Sequence, residues 1–173
     1  MSVFIALGAN LAGPAGSPRA TLEAALARLE AAGVAVARRS RWYRTPAWPD
    51  PADPPFVNGV AALETTLDVA ELLGLLHRIE DELGRARTWV NAPRAIDLDL
   101  LDYRGRVEAG HAAGARPGET AVPTLPHPRL HRRAFVLVPL AEIAPDWRHP
   151  VSRRSAAELI ADLPDAAAVM PLE

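Results

Sequence analysis

The chain has 173 residues, 49% of them apolar, with 21 acidic and 19 basic side chains and a formal net charge of −2. That suffices for one domain spanning 1–173 with a real hydrophobic core, and it argues against global disorder and against a general nucleic-acid coat protein. The absence of cysteine excludes disulfide scaffolds, thiol nucleophiles and cysteine-ligated zinc, and no apolar run is long enough to cross a bilayer.

Met1 to Leu7 lacks the basic n-region of a signal peptide, so the cytoplasm is the expected compartment. Val3 to Leu7 reads as a short buried strand and Gly8 to Pro18 as a Gly/Pro-rich loop. Ser17-Pro18 then signals a helix start, Ser as N-cap and Pro in the first turn. Leu22, Leu26 and Leu29 recur at helical spacing, and Gly33 ends the helix. Val34 to Arg44 reads as a strand. Thr45 to Pro55 holds five prolines and two aspartates, which excludes regular structure and predicts a long functional loop. Phe56 to Thr66 reads as a further strand.

Asp68 and Glu71 form a capping box before a second helix, whose buried stripe is Leu72, Leu76, Ile79 and Leu83 and whose stop is Gly84. Ala95 to Tyr103 reads as a strand, and Arg104 to Val122 as a weakly patterned insert or hairpin. Leu130 to Ile143 reads as partly helical, interrupted by Pro139, and Ser155 with Glu158 marks a short last helix. The order β-α-β-β-α-β with an irregular tail predicts an α+β ferredoxin-like sandwich: an antiparallel sheet, helices packed on one face, and long active-site loops.

The most informative segment is Pro93-Arg94-Ala95-Ile96-Asp97-Leu98-Asp99-Leu100-Leu101. On a strand, Asp97 and Asp99 share one face, roughly 7 Å apart, while Ile96, Leu98 and Leu100 share the other. Such a pair suits ligation of one or two hard divalent ions, and Arg94 beside it suits a triphosphate. A solvated polar face is the competing reading of the bare Asp-x-Asp. All basic residues are Arg, so Schiff-base chemistry and a phosphate-loop lysine are excluded, and Pro14 stands where Gly8 to Gly13 would need that lysine. Phosphates here must be held by Arg forks, helix ends and metal.

Three further clusters stand out. Glu80 and then Arg85 and Arg87 lie at a helix end leading to the acidic strand; an ordinary charged helix end is the plainer reading. Thr124-Leu125-Pro126-His127-Pro128-Arg129, followed by Arg132 and Arg133, sets a rigid His among three Arg and resembles an anion site. Tyr43-Arg44-Thr45-Pro46 leads through the Pro loop to Phe56 and Asn58, where core packing and a satisfied turn are the plain readings. An RNA-binding ferredoxin-like module and a metal-dependent phosphohydrolase remain alternatives at this level.

Taken in order, these pieces resemble one family, the 6-hydroxymethyl-7,8-dihydropterin pyrophosphokinases. The likeness runs from Ile5-Ala6-Leu7-Gly8-Ala9-Asn10-Leu11 to about Pro145, through Tyr43-Arg44-Thr45-Pro46, Phe56-x-Asn58, Glu80, Gly84-Arg85-x-Arg87, Pro93-Arg94-x-Ile96-Asp97-Leu98-Asp99, Pro126-His127-Pro128 and Arg133-x-Phe135. The resemblance implies transfer of the pyrophosphoryl group of ATP to the hydroxymethyl group of 6-hydroxymethyl-7,8-dihydropterin, releasing AMP, in folate synthesis. It implies that Asp97 and Asp99 bind two Mg²⁺ and act in catalysis with Arg94 and Arg87. Arg87, Arg94, Arg133, Glu80, His77, Thr124 and His127 are implied to hold the nucleotide. Phe56 and Phe135 are implied to sandwich the pterin, with Asn58, Thr45, Pro46 and Trp48 at its hydrogen-bonding edge. A monomer acting on small molecules is expected, with no nucleic-acid or membrane partner. Family members often carry Trp-Gly before Pro-Arg. Here Asn91-Ala92 stand there, Trp89 is out of register, and Gly110 to Thr120 reads as an insertion.

Overall fold

A computed structural model describes residues 2–47, 50–84, 95–110 and 122–172. Strand β1 (Val3–Ala9) leads to α1 (Pro18–Ala31), which Ser17 caps by accepting from Ala20 N at 3.1 Å. Helix α2 (Val69–Glu82) opens on the expected capping box, with Asp68 accepting from Glu71 N at 2.9 Å and Glu71 accepting from Asp68 N at 2.8 Å. Gly33 and Gly84 follow the two helices at φ 82° and 88°, the left-handed backbone that stops a helix most readily with glycine.

The single strand predicted over Val34 to Arg44 is two: β2 (Ala35–Arg39) and β3 (Tyr43–Thr45). Ser40 is the reason. Its N–H donates to Val60 O at 2.9 Å, but its hydroxyl, rather than a backbone carbonyl, accepts from Val60 N at 3.0 Å. Both short strands pair with β4 (Phe56–Glu64), β3 along its first half and β2 along its second. On its other side β4 pairs with β1, and β1 with β5 (Asp97–Tyr103). With β2 and β3 counted as one interrupted strand, the antiparallel order is that of a ferredoxin-like sandwich, as expected. A short β6 (Met170–Pro171), absent from the sequence reading, pairs with β3.

Strand alternation sorts side chains between two layers. Val3, Ile5 and Leu7 of β1, with Leu98 and Leu100 of β5, are buried under α1 and α2 against Leu22, Leu29, Leu72 and Leu76. Each such leucine contributes about 1.5–3 kcal/mol by leaving water. Phe4, Val60, Ala62 and Leu101 face the other way. They meet α3 (Ala134–Ile143) and α4 (Ala156–Ile160), whose own capping box is Ser155 with Glu158.

The expectation of helices on one face is therefore corrected: α3 and α4 cover part of the second face. Pro139 sits inside α3 rather than ending it, buried among Val136, Leu137, Leu140 and Ile143, so packing outweighs the lost donor. A bulge in β5 puts Leu101 and Asp102 both on this second side, where Asp102 is buried and accepts from Trp147 Nε1 at 2.8 Å.

Candidate active site

On the second face the apolar layer stops short, and a cavity of about 620 Å³ opens beside α3. Its floor follows from the register. Gly8 lies opposite Asn58 of β4 and Asp97 of β5, and Ala6 lies opposite Asp99. Asn58 and Asp97 thus flank Gly8 from the two neighbouring strands, about 10 Å apart by sheet spacing. Gly8 is small for a reason: a Cβ there would stand 3.0 Å from Asn58 Oδ1.

Asp97 and Asp99 both line the cavity, while Ile96, Leu98 and Leu100 are buried in the α1/α2 layer. The predicted division of that strand into an acidic and an apolar face is what the structure has. β5 is an edge strand, and its outer edge is held from two places. Glu80 of α2 has no exposed surface, and its Oε1 accepts from Leu98 N at 2.7 Å, between the two aspartates. His127 N donates to Leu101 O at 2.8 Å.

The 3-10 turn Leu130–Arg132 and the start of α3 bring basic groups over the acidic pair. Arg133 donates to Asp99 Oδ2 at 3.0 Å, and its guanidinium carbon lies 5.7 Å from the Phe135 ring centre. His127 Nε2 lies 3.9 Å from the same carboxylate oxygen. The backbone fixes its tautomer: Nδ1 accepts from Arg129 N at 3.1 Å, leaving the proton on Nε2, toward Asp99. Burial pushes the His127 pKa below its ordinary value; Asp99 opposes this, and Arg133 and Arg129 add to it.

Away from the acidic pair, Thr45, Pro46, Phe56, Asn58 and Phe135 line the same cavity. Asn58 Nδ2 donates to Thr45 Oγ1 at 2.8 Å, which leaves Oδ1 to accept from a ligand. The loop after Thr45 is tied back by Asn10 Nδ2, which donates to Pro54 O at 3.2 Å. Beneath it, Tyr43 and Arg41 both reach Glu142 of α3, the hydroxyl donating at 2.9 Å.

Of the predicted nucleotide-side residues, His77 is exposed on α2 and Thr124 is exposed, its Oγ1 accepting from Gly110 N at 3.2 Å; neither lines the cavity. Glu80, expected at the nucleotide, is buried, and its carboxylate anchors β5 through Leu98 N. Trp48, Arg85, Arg87, Arg94, Trp89 and Asn91-Ala92 lie outside the described residues, as does most of the predicted insertion. Sequence reasoning assigned only Arg133 of the three clustered arginines, yet Arg129 and Arg132 also line the cavity. The clustering itself was the available signal. It also missed a wall built by Asp165, Ala168 and Val169, which belong to no recognisable motif.

Residues 4–145 match the family model described as 7,8-dihydro-6-hydroxymethylpterin-pyrophosphokinase. A Synechocystis protein named 2-amino-4-hydroxy-6-hydroxymethyldihydropteridine pyrophosphokinase is 42% identical over 97% of this chain and 78% of its own length. A Pseudomonas aeruginosa protein of the same name is 39% identical over 99% of this chain and 93% of its own. The Schizosaccharomyces pombe folic acid synthesis protein fol1 is 33% identical over 93% of this chain, which spans 20% of that longer protein. With the sheet order, the acidic strand under Arg133 and a match from Phe4 to Pro145, the chain belongs to the 7,8-dihydro-6-hydroxymethylpterin-pyrophosphokinase family.

Proposed function

We propose that the cavity is where this pyrophosphokinase works, with Asp97 and Asp99 as the ligands of magnesium ions carried by ATP. The enzyme transfers the pyrophosphoryl group of ATP to 6-hydroxymethyl-7,8-dihydropterin in folate synthesis. One observation carries the site assignment: the two carboxylates face the same cavity as Phe56, Asn58 and Phe135, with Arg133 3.0 Å from Asp99.

In the reaction, the pterin hydroxyl oxygen bonds to the β-phosphorus of ATP as the bond from that phosphorus to the α-phosphate oxygen breaks. AMP leaves with the electron pair, and the hydroxyl proton passes to solvent. Such a transfer needs positioning and charge neutralisation more than covalent help. The donor set fits magnesium: two carboxylates lining one cavity are hard oxygen ligands, and water and phosphate oxygens would supply the rest of its shell. Two Mg²⁺ bound there would neutralise the phosphates and acidify the hydroxyl.

The remaining work falls to side chains. Arg133 has a fork to give the triphosphate, and Arg94 and Arg87 serve the same anion. His127 offers Nε2–H to a phosphate oxygen, with Thr124 and His77 further along the nucleotide. Phe56 and Phe135 stack on the flat pterin, and Asn58 Oδ1 accepts from a ring N–H. Thr45 fixes that amide, and Pro46 and Trp48 complete the edge. The enzyme acts as a cytoplasmic monomer on these small molecules alone.

AMP release from ATP tests this reading. It should require both Mg²⁺ and the dihydropterin. Phosphate release from ATP without pterin would point instead to a phosphohydrolase.

A further inference from the structure

The cavity has a wall that lies beyond the family match, which ends at residue 145. Asp165, Ala168 and Val169 supply it, from a 3-10 turn (Ala166–Ala168) and the residues on either side of it. This segment is held in place. Val169 is buried against Tyr43 and Ala134, and Phe135 and Ala166 join the same apolar cluster. Beyond it, β6 pairs with β3, and Leu172 N donates to Trp42 O at 2.8 Å. The segment therefore packs against Phe135, on the side of the cavity that holds Thr45, Phe56 and Asn58, and not beside Asp97.

Asp165 is placed at the N-cap of the turn but does not cap it, although Asp is among the best capping residues. It also has no ion-pair partner among the described residues, despite three arginines around the same cavity. Its exposed carboxylate is left as an acceptor on the cavity wall. A dihydropterin carries several ring N–H donors and no negative charge, so a carboxylate suits it. The same carboxylate repels the phosphates of ATP.

We infer that the segment from Asp165 to Val169 completes the pterin side of the site, and that Asp165 is a specificity-determining residue accepting a hydrogen bond from a ring N–H of the pterin. This rests on the pyrophosphokinase reading above.

Four variants test it by steady-state kinetics, with KM for dihydropterin and for ATP measured separately. Asp165→Ala should raise the pterin KM about tenfold, the scale of a hydrogen bond to a charged group, and leave the ATP KM within about twofold. Asp165→Asn keeps an acceptor and should lose less. Ala168→Leu puts bulk on the wall and should also raise the pterin KM. Ala167→Leu, on the same exposed turn but outside the lining, should match the parent and controls for folding.

If Asp165→Ala matches the parent, the acceptor role falls. If Ala168→Leu matches Ala167→Leu, the wall itself falls. A rise in ATP KM instead of pterin KM would move the segment to the nucleotide side and overturn the assignment. Failure of the parent enzyme to release AMP in response to pterin would sink the functional reading, and this inference with it.

Discussion

On one face of the sheet, α1 and α2 cover β1, β4 and β5 with leucine, isoleucine and valine. On the other, α3 and α4 cover the part that holds Phe4, Val60 and Leu101, and the remainder opens as a cavity whose walls mix Phe56, Phe135 and Val169 with Asp97, Asp99 and the clustered arginines. The same strands serve both layers. Residues one apart on β5, such as Leu98 and Asp99, differ only in which way the pleat sends them. Apolar burial on one side holds the strands rigid, and that rigidity aims the carboxylates on the other. Substitutions should therefore separate into those that cost activity and those that cost stability, according to face.

The largest effect should come from Asp97→Ala or Asp99→Ala. Turnover should fall more than about a thousandfold, with circular dichroism and the unfolding midpoint nearly unchanged. Activity surviving in both single variants would break the comparison. The reciprocal case is Leu76→Ala, which empties a fully buried position under the sheet. It should cost about 2–5 kcal/mol in urea unfolding while the folded fraction keeps its kcat.

Arg94→Ala is smaller. It should raise the ATP KM about tenfold or more and the pterin KM far less; equal losses would indicate a folding defect. The smallest effect concerns His149, buried edge-on to Trp147 and to His131. Its Nδ1 accepts from Val151 N and Ser152 N, both at 3.2 Å, so it is held neutral. Burial lowers its pKa, neighbouring His131 adds to this, and Asp102 opposes it. Below about pH 6.5 the unfolded chain takes up a proton that the fold refuses. Stability present above that pH should be lost as pH falls through the lowered folded value, and His149→Gln should make the decline shallower in thermal unfolding.

Much of this was legible where a local signal had a physical cause. The caps at Ser17, Asp68 and Ser155 lie where side-chain acceptors precede an apolar period, and the structure has a helix after each. The acidic strand was legible because alternation leaves a carboxylate pair only one reasonable face. The break at Ser40 was not, because a serine that replaces a ladder acceptor looks the same as one on a solvated strand. Glu80 reads from sequence as one more charge at a helix end; only packing reveals that it serves β5. The wall at Asp165 sits in an alanine-rich stretch with no periodicity, and long-range contacts, the burial of Val169 against Tyr43 and Ala134 and the pairing of β6 with β3, bring it to the cavity.

The central claim is that two carboxylates on one pleat of β5 hold magnesium against the phosphates. Titrating Mg²⁺ calorimetrically into the enzyme with a non-hydrolysable ATP analogue and dihydropterin tests it most directly. The account predicts two ions bound by the parent, and loss of that binding in Asp97→Ala and Asp99→Ala. Unchanged stoichiometry and affinity in both variants would contradict it.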